Sequence, residues 1–390
     1  MIVPVGGCAG KMNAYDAVHN GFYSKAMHEF NKDAYKQEKY LKKKNKYDKD
    51  YALPYLHLAS AGFEGGAYSL AETALMHALP VMQRMEESGG QNLFALVTTE
   101  DQRQYKGDPY ERSAANFYLG LIRFYNGEHD RALALFRRAL VSDMDTKNKE
   151  EEALEDYTVA QIMAAKTYAI LGEMDNAKVM LDRAEEYIED KVAFTEFKEH
   201  FLTDNFTVLI ANGIGPFKMS CGAGKAAIKV DCDSGPVRKM DIYIDEKRYG
   251  SALKAMDVTE QAEQHTASFG RRSVQAFKGT CNQITSVAMG LKLMGSKSDS
   301  RSWILLPNGF YIFSTTIDPG LHTVMLKCFD KKGKELPRYE QRWFYIPVVE
   351  GKEGNLLILR TGIDKCNQYK KIKRQRVLTK VQRRDVKKWK

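Results

Sequence analysis

The sequence contains no run of eighteen apolar residues, so it offers no helix able to cross a bilayer by itself. It also lacks HExxH and GxSxG, the spacings that mark zinc proteases and serine hydrolases. None of its eight histidines has another four positions away. The six cysteines form no CxxC pair and no zinc spacing. Cys281 and Cys328 lie in apolar surroundings and read as buried thiols, whereas Cys221 and Cys232 are close enough in sequence to bridge across a hairpin. Gly222-Ala223-Gly224-Lys225 imitates a phosphate loop, but Met219 and Ala226 stand where that motif needs Gly and Ser or Thr. These absences leave no catalytic constellation, no cofactor and no metal to expect, and they point away from an enzyme.

What the sequence does contain is a repeat. Tyr55, Leu58, Ala59, Gly66, Tyr68, Ala71, Leu75 and Ala78 recur in spacing as Asn116, Leu119, Gly120, Gly127, His129, Ala132, Phe136 and Ala139. They recur again as Gln161, Ala164, Ala165, Gly172, Met174, Ala177, Leu181 and Ala184. A small residue, a Gly seven positions later and an Ala-x3-large-x2-Ala string form the tetratricopeptide pattern of stacked helix hairpins. The small residues Ala59, Gly120 and Ala165 let the partner helix approach. Gly66, Gly127 and Gly172 stand where the chain must reverse with positive φ. Ala71, Ala132 and Ala177 begin the second-helix seam. A partial fourth copy, Gly21-Tyr23-Ala26-Phe30, precedes them without an evident first helix.

The net charge of +9 is not spread evenly. Residues 365–390 hold twelve basic residues and one acidic, so this tail is +11 and the other 364 residues sum to −2. Lys370, Lys371, Lys373, Arg374, Arg376, Arg383 and Arg384 are its candidates for binding an anionic surface, either lipid head groups or cell-wall polymer. A nucleic-acid reading of the same charges competes with it. At the other end, Val5-Gly6-Gly7-Cys8 matches a lipobox, in which Cys8 would be lipidated. The stretch before Cys8 is shorter than a full leader, which leaves an upstream start, trimming or an incidental Cys as the alternatives. Ala9, rather than Asp, follows Cys8 and favours outer-membrane sorting.

The expected architecture is α+β and multidomain. Residues 1–10 form a truncated signal-like segment, 11–50 a polar helical region and 51–200 a tetratricopeptide-like array. Residues 201–362 form a small β-sandwich-like domain with a helical insert at 257–293, and 363–390 a basic tail. Asp108-Pro109 reads as a helix start. Strands are expected at Phe206–Ile210, Met240–Asp245, Trp303–Leu306, Phe310–Thr315, His322–Cys328, Gln341–Val349 and Asn355–Arg360. Arg301 beside Asp299 and Trp303 reads as a local salt bridge or cation–π contact. First helices of such arrays line the concave side, so Asn116, Arg123, Gln161 and Tyr168 are candidate groove residues for a protein partner.

Cys8, Gly107-Asp108-Pro109-Tyr110-Glu111-Arg112, Asn212 to Lys218, Asp299 to Pro307 and Asp318 to Thr323 together resemble a family of uncharacterised bacterial envelope lipoproteins. That family pairs tetratricopeptide repeats with a C-terminal β-rich region. The resemblance implies a bacterial cell-envelope location, as an outer-membrane lipoprotein facing the periplasm, and no particular reaction. The expected function is a non-enzymatic, lipid-anchored protein–protein interaction scaffold. The alternatives are a cytosolic tetratricopeptide scaffold whose basic tail binds nucleic acid, and a cell-wall-active or ligand-binding protein that uses the β domain.

Overall fold

The computed structural model describes residues 13–83, 104–143, 157–221, 227–267, 300–350 and 354–363. Cys8 and the tail residues Lys370, Lys371, Lys373, Arg374, Arg376, Arg383 and Arg384 fall outside that set, as do Cys281 and Gly222 to Ala226.

The first half is a succession of antiparallel helices. They are α1 (Ala14–His19), α2 (Tyr23–Lys44), α3 (Ala52–Glu64), α4 (Tyr68–Met82), α5 (Pro109–Tyr125), α6 (His129–Asp143), α7 (Thr158–Ile170), α8 (Met174–Tyr187) and α9 (Lys191–Phe201). α3 packs on α4, α5 on α6 and α7 on α8, the three hairpins expected from the repeat. The partial copy also has its first helix: α1 is short and packs on α2.

Each reversal is built alike. Gly21, Gly66, Gly127 and Gly172 have φ of 72°, 74°, 79° and 82°. The residue after each Gly donates its N–H five positions back: Phe22 to Ala17, Ala67 to Gly62, Glu128 to Arg123 and Glu173 to Tyr168. Each Gly donates three positions back, which completes the Schellman helix stop. Asp108 opens α5 as expected, with Pro109 at the first helical position and Glu111 accepting the Asp108 N–H at 2.6 Å.

The second half is β-rich, so the chain is α+β, with a helical repeat-like region followed by a β domain. Its elements are β1 (Phe206–Asn212), β2 (Ile214–Cys221), β3 (Ala227–Asp233), β4 (Lys239–Ile244), β5 (Lys247–Ser251), β6 (Leu253–Asp257), α10 (Val258–Ala267), β7 (Gly309–Thr315), β8 (Gly320–Phe329), β9 (Gln341–Val348) and β10 (Asn355–Thr361). One sheet runs β10-β1-β7-β6, with β1 parallel to β10 and antiparallel to β7. A second runs β5-β4-β8-β9, and β2 pairs with β3 as a separate hairpin.

The two four-stranded sheets face each other across one core. Phe206, Val208, Ile210 and Phe313 meet Met240, Ile242, Val324, Leu326 and Trp343 there. The opposite face of the first sheet, through Leu209, Ala211, Phe310 and Ile312, belongs to the core of the helices. β1 is therefore buried on both faces, which is why it reads as a largely apolar run. The sequence of β4 alternates instead, with buried Met240, Ile242 and Ile244 on one face and exposed Lys239 and half-buried Tyr243 on the other.

Three expectations change. Trp303–Leu306 is not a strand but a turn-bearing segment across the helices, because its polar backbone groups pair off any ladder. The Trp303 N–H goes to Glu111 and the Leu306 carbonyl accepts from Gly215. The expected helix 257–293 begins at Val258 after a strand that ends at Asp257, and residues 268–299 lie outside the described set. Cys221 pairs in register with Ala227, while Cys232 sits between the partners of Phe217 and Ile214 at the hairpin's other end. Five or six extended residues separate those positions, roughly 17–20 Å. A disulfide needs Cα atoms within about 7 Å, so the register rules this bridge out.

Candidate functional site

The repeat residues meet as their sizes require. A Cβ on Gly120 would lie 2.6 Å from Cε1 of Phe136, so the ring fills the space a side chain would take. Ala59, Ala71, Ala132, Ala165 and Ala177 are all buried in the hairpin seams. Gly66, Gly127 and Gly172 have no neighbour within 4 Å of a Cβ, so their constraint is φ alone.

The first-helix face is not an open groove. Asn116 is 0 % exposed, Gln161 1 % and Tyr168 8 %. Asn116 donates to the Arg112 carbonyl at 3.0 Å and to Ser142 Oγ at 3.1 Å, and accepts from Gln83 at 3.2 Å. Arg123 is half-buried and bridges hairpins, pairing with Glu72 of α4 and with Glu128 at 2.9 Å. These four candidates thus serve internal packing. The partners of Asn116 and Arg123 are neighbouring helices, and the chain's own β-region covers another face of the same helices. Phe310 packs against Phe117 at 5.4 Å and Tyr118 at 6.3 Å, and Trp303 against Tyr118 at 5.8 Å. A Cβ on Gly354, at the start of β10, would touch Ile170, Phe124 and His129.

Polar joints fix this occupancy. Glu111 is wholly buried and accepts from the Tyr105 hydroxyl at 2.7 Å and the Trp303 N–H at 2.5 Å. Burial raises its pKa, opposed by the Lys218 ammonium. Lys218 of β2 pairs with Asp108 at 2.6 Å. Arg301 reaches Asp50 at 2.7 Å and lies over the Tyr105 ring at 5.5 Å. This salt bridge and this cation–π contact are long-range, and Asp299 lies outside the described residues. Buried Arg360 of β10 donates to the Gly213 carbonyl at 2.8 Å and lies 3.7 Å from Glu64 at the end of α3. None of these partners was legible in the sequence, because each joins segments that only the fold brings together.

Lys166 of α7 is buried too. Its ammonium donates to the carbonyls of Phe201 at 2.7 Å, Leu202 at 3.4 Å and Asp204. These are the orphan acceptors at the C-terminus of α9, where a cation also meets the negative end of the helix dipole.

The outer row is open. Val141 of α6, Met174, Val179 and Tyr187 of α8, and Val192 of α9 are exposed, Val192 at 73 %. Among the described residues no group of three His, Cys, Asp or Glu is placed to hold a metal ion. No described helix is long and apolar enough to cross a membrane.

No family model matches the chain. It is 28% identical over 111 residues to the photosystem I assembly protein Ycf3 of Sorghum bicolor, a tetratricopeptide-containing protein. That match spans 28% of this chain and 62% of the relative, so less than two thirds of the relative's length is covered. Together with the helical hairpins it supports a tetratricopeptide-like fold and, for function, a protein-interaction scaffold.

Proposed function

We propose that this chain is a non-enzymatic scaffold of the bacterial cell envelope. A lipid on Cys8 would hold it, as an outer-membrane lipoprotein facing the periplasm, while it gathers protein partners on the outer row of its helices. The observation that carries the interaction surface is the filled inner face. With Asn116, Gln161 and Tyr168 packed away, the consecutive helices α8 and α9 still offer a partner the exposed apolar side chains Met174, Val179, Tyr187 and Val192. The likeness to an assembly protein supports the same class of role. The basic stretch 365–390 would add contacts to anionic lipid or wall polymer.

Affinity purification from detergent-solubilised membranes tests the partner surface. Val179→Glu with Val192→Glu should lose the partner recovered with wild type and keep the wild-type melting temperature. Retention of that partner overturns the outer-row assignment. Radiolabelled palmitate tests the anchor: label should enter wild type and be absent from Cys8→Ser.

A further inference from the structure

α2 carries a face that the scaffold reading leaves unused. Lys25, Lys32, Lys36, Lys39 and Lys43 are spaced 7, 4, 3 and 4 apart, and all five are exposed. At about 100° per residue they fall within roughly 60° of one another, along about 27 Å of helix. The buried residues Tyr23, Ala26, Phe30 and Ala34 lie on the opposite side, so the lysine row points straight out.

Two lysines of the row are paired with acidic residues of α2, so its net charge rests on Lys25, Lys39 and Lys43. Glu29 is held by Lys32 at 3.0 Å and Asp33 by Lys36 at 2.7 Å, both beside it. Glu38 faces away, toward Tyr55 and His77. Lys42 and Lys44 add charge in the last turn of α2, and Lys46 and Lys49 prolong it past the helix end. Tyr35, 64 % exposed, and half-buried Tyr40 flank the row on either side. Tyrosine of this kind, with an apolar ring and a polar tip, suits the depth of lipid head groups.

We infer that this face of α2 lies on an anionic lipid surface. A straight row of ammonium groups with aromatic flanks matches a plane of phosphates. Each lysine close to such a surface strengthens binding about fivefold. Exposed ion pairs with another protein give much less per lysine. The envelope-lipoprotein reading, on which this inference rests for its biological setting, places the chain at a bilayer. Cys8 is five residues from Asn13, at most about 18 Å of extended chain. Asn13 caps α1, and α1 packs on α2 through Tyr15 against Phe30 at 5.2 Å.

One competing occupant is visible. Asp175, Asp182 and Glu186 repeat the spacing 7, 4 along the outer face of α8, with Glu189 just past its end, so a second copy offers an acidic row. Two of these acids are already engaged, Asp182 with Lys198 at 3.0 Å and Glu189 with Lys254 at 3.2 Å. This favours the lipid.

The test uses the full chain as Cys8→Ser, so that acylation plays no part. Binding is read by flotation with vesicles of phosphatidylglycerol and phosphatidylcholine and with phosphatidylcholine alone. Partition should require phosphatidylglycerol. Lys25→Gln, Lys39→Gln and Lys43→Gln together should weaken it about 100-fold. The control Lys331→Gln, Lys332→Gln and Lys334→Gln removes the same charge from the exposed loop after β8 and should change it little. Equal losses in both triple variants would show that net charge, including the tail, sets the binding, and would overturn the assignment. So would a wild-type dimer, seen by sedimentation without vesicles, that the α2 variant alone dissolves. Retarded migration with duplex DNA but no flotation would overturn it in favour of nucleic acid. Failure of palmitate labelling would remove the anchor and leave the flotation result standing.

Discussion

The indole N–H of Trp303 donates to Ser60 Oγ at 2.8 Å, across 243 positions of sequence. Ser60 belongs to the first hairpin and Trp303 to the segment leading into β7, so the bond ties the array to the sandwich. The sheet carrying β7 is covered by helices on one face and by the second sheet on the other. Unfolding either half would expose a face of that sheet. Calorimetry should therefore show one transition for both halves. Trp303→Ala should lower stability by about 3–5 kcal/mol, since a fully buried ring is lost and Ser60 is orphaned. Two separated transitions, only one of them shifted by the substitution, would contradict the shared core.

Gly120 and Gly66 occupy equivalent hairpins but are glycine for different reasons. A Cβ on Gly120 would lie 2.6 and 2.8 Å from two atoms of the Phe136 ring. Gly120→Ala should cost roughly 1–3 kcal/mol by overpacking. Phe136→Leu should relieve that clash, so the double variant should be more stable than the two single losses predict. Gly66 has open space but φ of +74°. Gly66→Ala should cost about 1–2 kcal/mol from the left-handed backbone, and no neighbouring substitution should restore it. Urea melts of the four variants separate the two causes.

The same contrast shows what the sequence made legible. Hairpin seams and helix stops depend on residues within about 35 positions of one another, so spacing alone located Gly66, Gly120, Gly127, Gly172 and their alanine partners. The alternating β4 was readable for the same local reason. The filled inner face was not readable. Asn116 looks like a groove residue until Gln83 and Ser142 close on it, and Phe117 and Tyr118 of the same helix meet Trp303 and Phe310 from nearly two hundred positions downstream. A hint was present in α5 and α7, which are apolar around more of their circumference than a helix with an open face needs. Trp303–Leu306 misled for a related reason: an apolar stretch buried against helices has the composition of a strand without its ladder.

His57 should make the protein acid-sensitive before ordinary carboxylates titrate. It lies in the core beside Phe30 and Tyr15, whose hydroxyl is 3.2 Å from Nδ1. Burial pushes its pKa down to about 3, against the opposing Ser302 backbone. Above the ordinary value of 6.5 the ring is neutral whether folded or unfolded. Below it the unfolded chain takes a proton that the folded chain refuses. Stability is then lost by about 1.4 kcal/mol per pH unit toward pH 3. Denaturant melts between pH 7 and 5 should show this slope in wild type and its loss in His57→Leu. Parallel curves for the two proteins would place the acid sensitivity elsewhere.

Two lysines near α9 give the sharpest energetic contrast. Lys198 sits at the rim, pairing with Asp182 at 3.0 Å and Glu185 at 2.6 Å, and such a pair contributes about 1 kcal/mol or less. Lys166 faces no carboxylate in its three hydrogen bonds, which go to backbone carbonyls, and its charge lies over the Phe201 ring at 5.3 Å. Lys166→Met keeps the aliphatic stem and removes the donor from three carbonyls where α9 turns into β1. Buried acceptors left without partners cost about 1–3 kcal/mol each, partly relieved by water at the opened joint. The variant should therefore lose about 2–4 kcal/mol, against under about 1 kcal/mol for Lys198→Met. Hydrogen exchange should locate the damage, with faster exchange at Phe206 to Val208 in Lys166→Met and wild-type rates there in Lys198→Met. Equal losses from the two substitutions would mean that the carbonyl cage contributes no more than the surface pair.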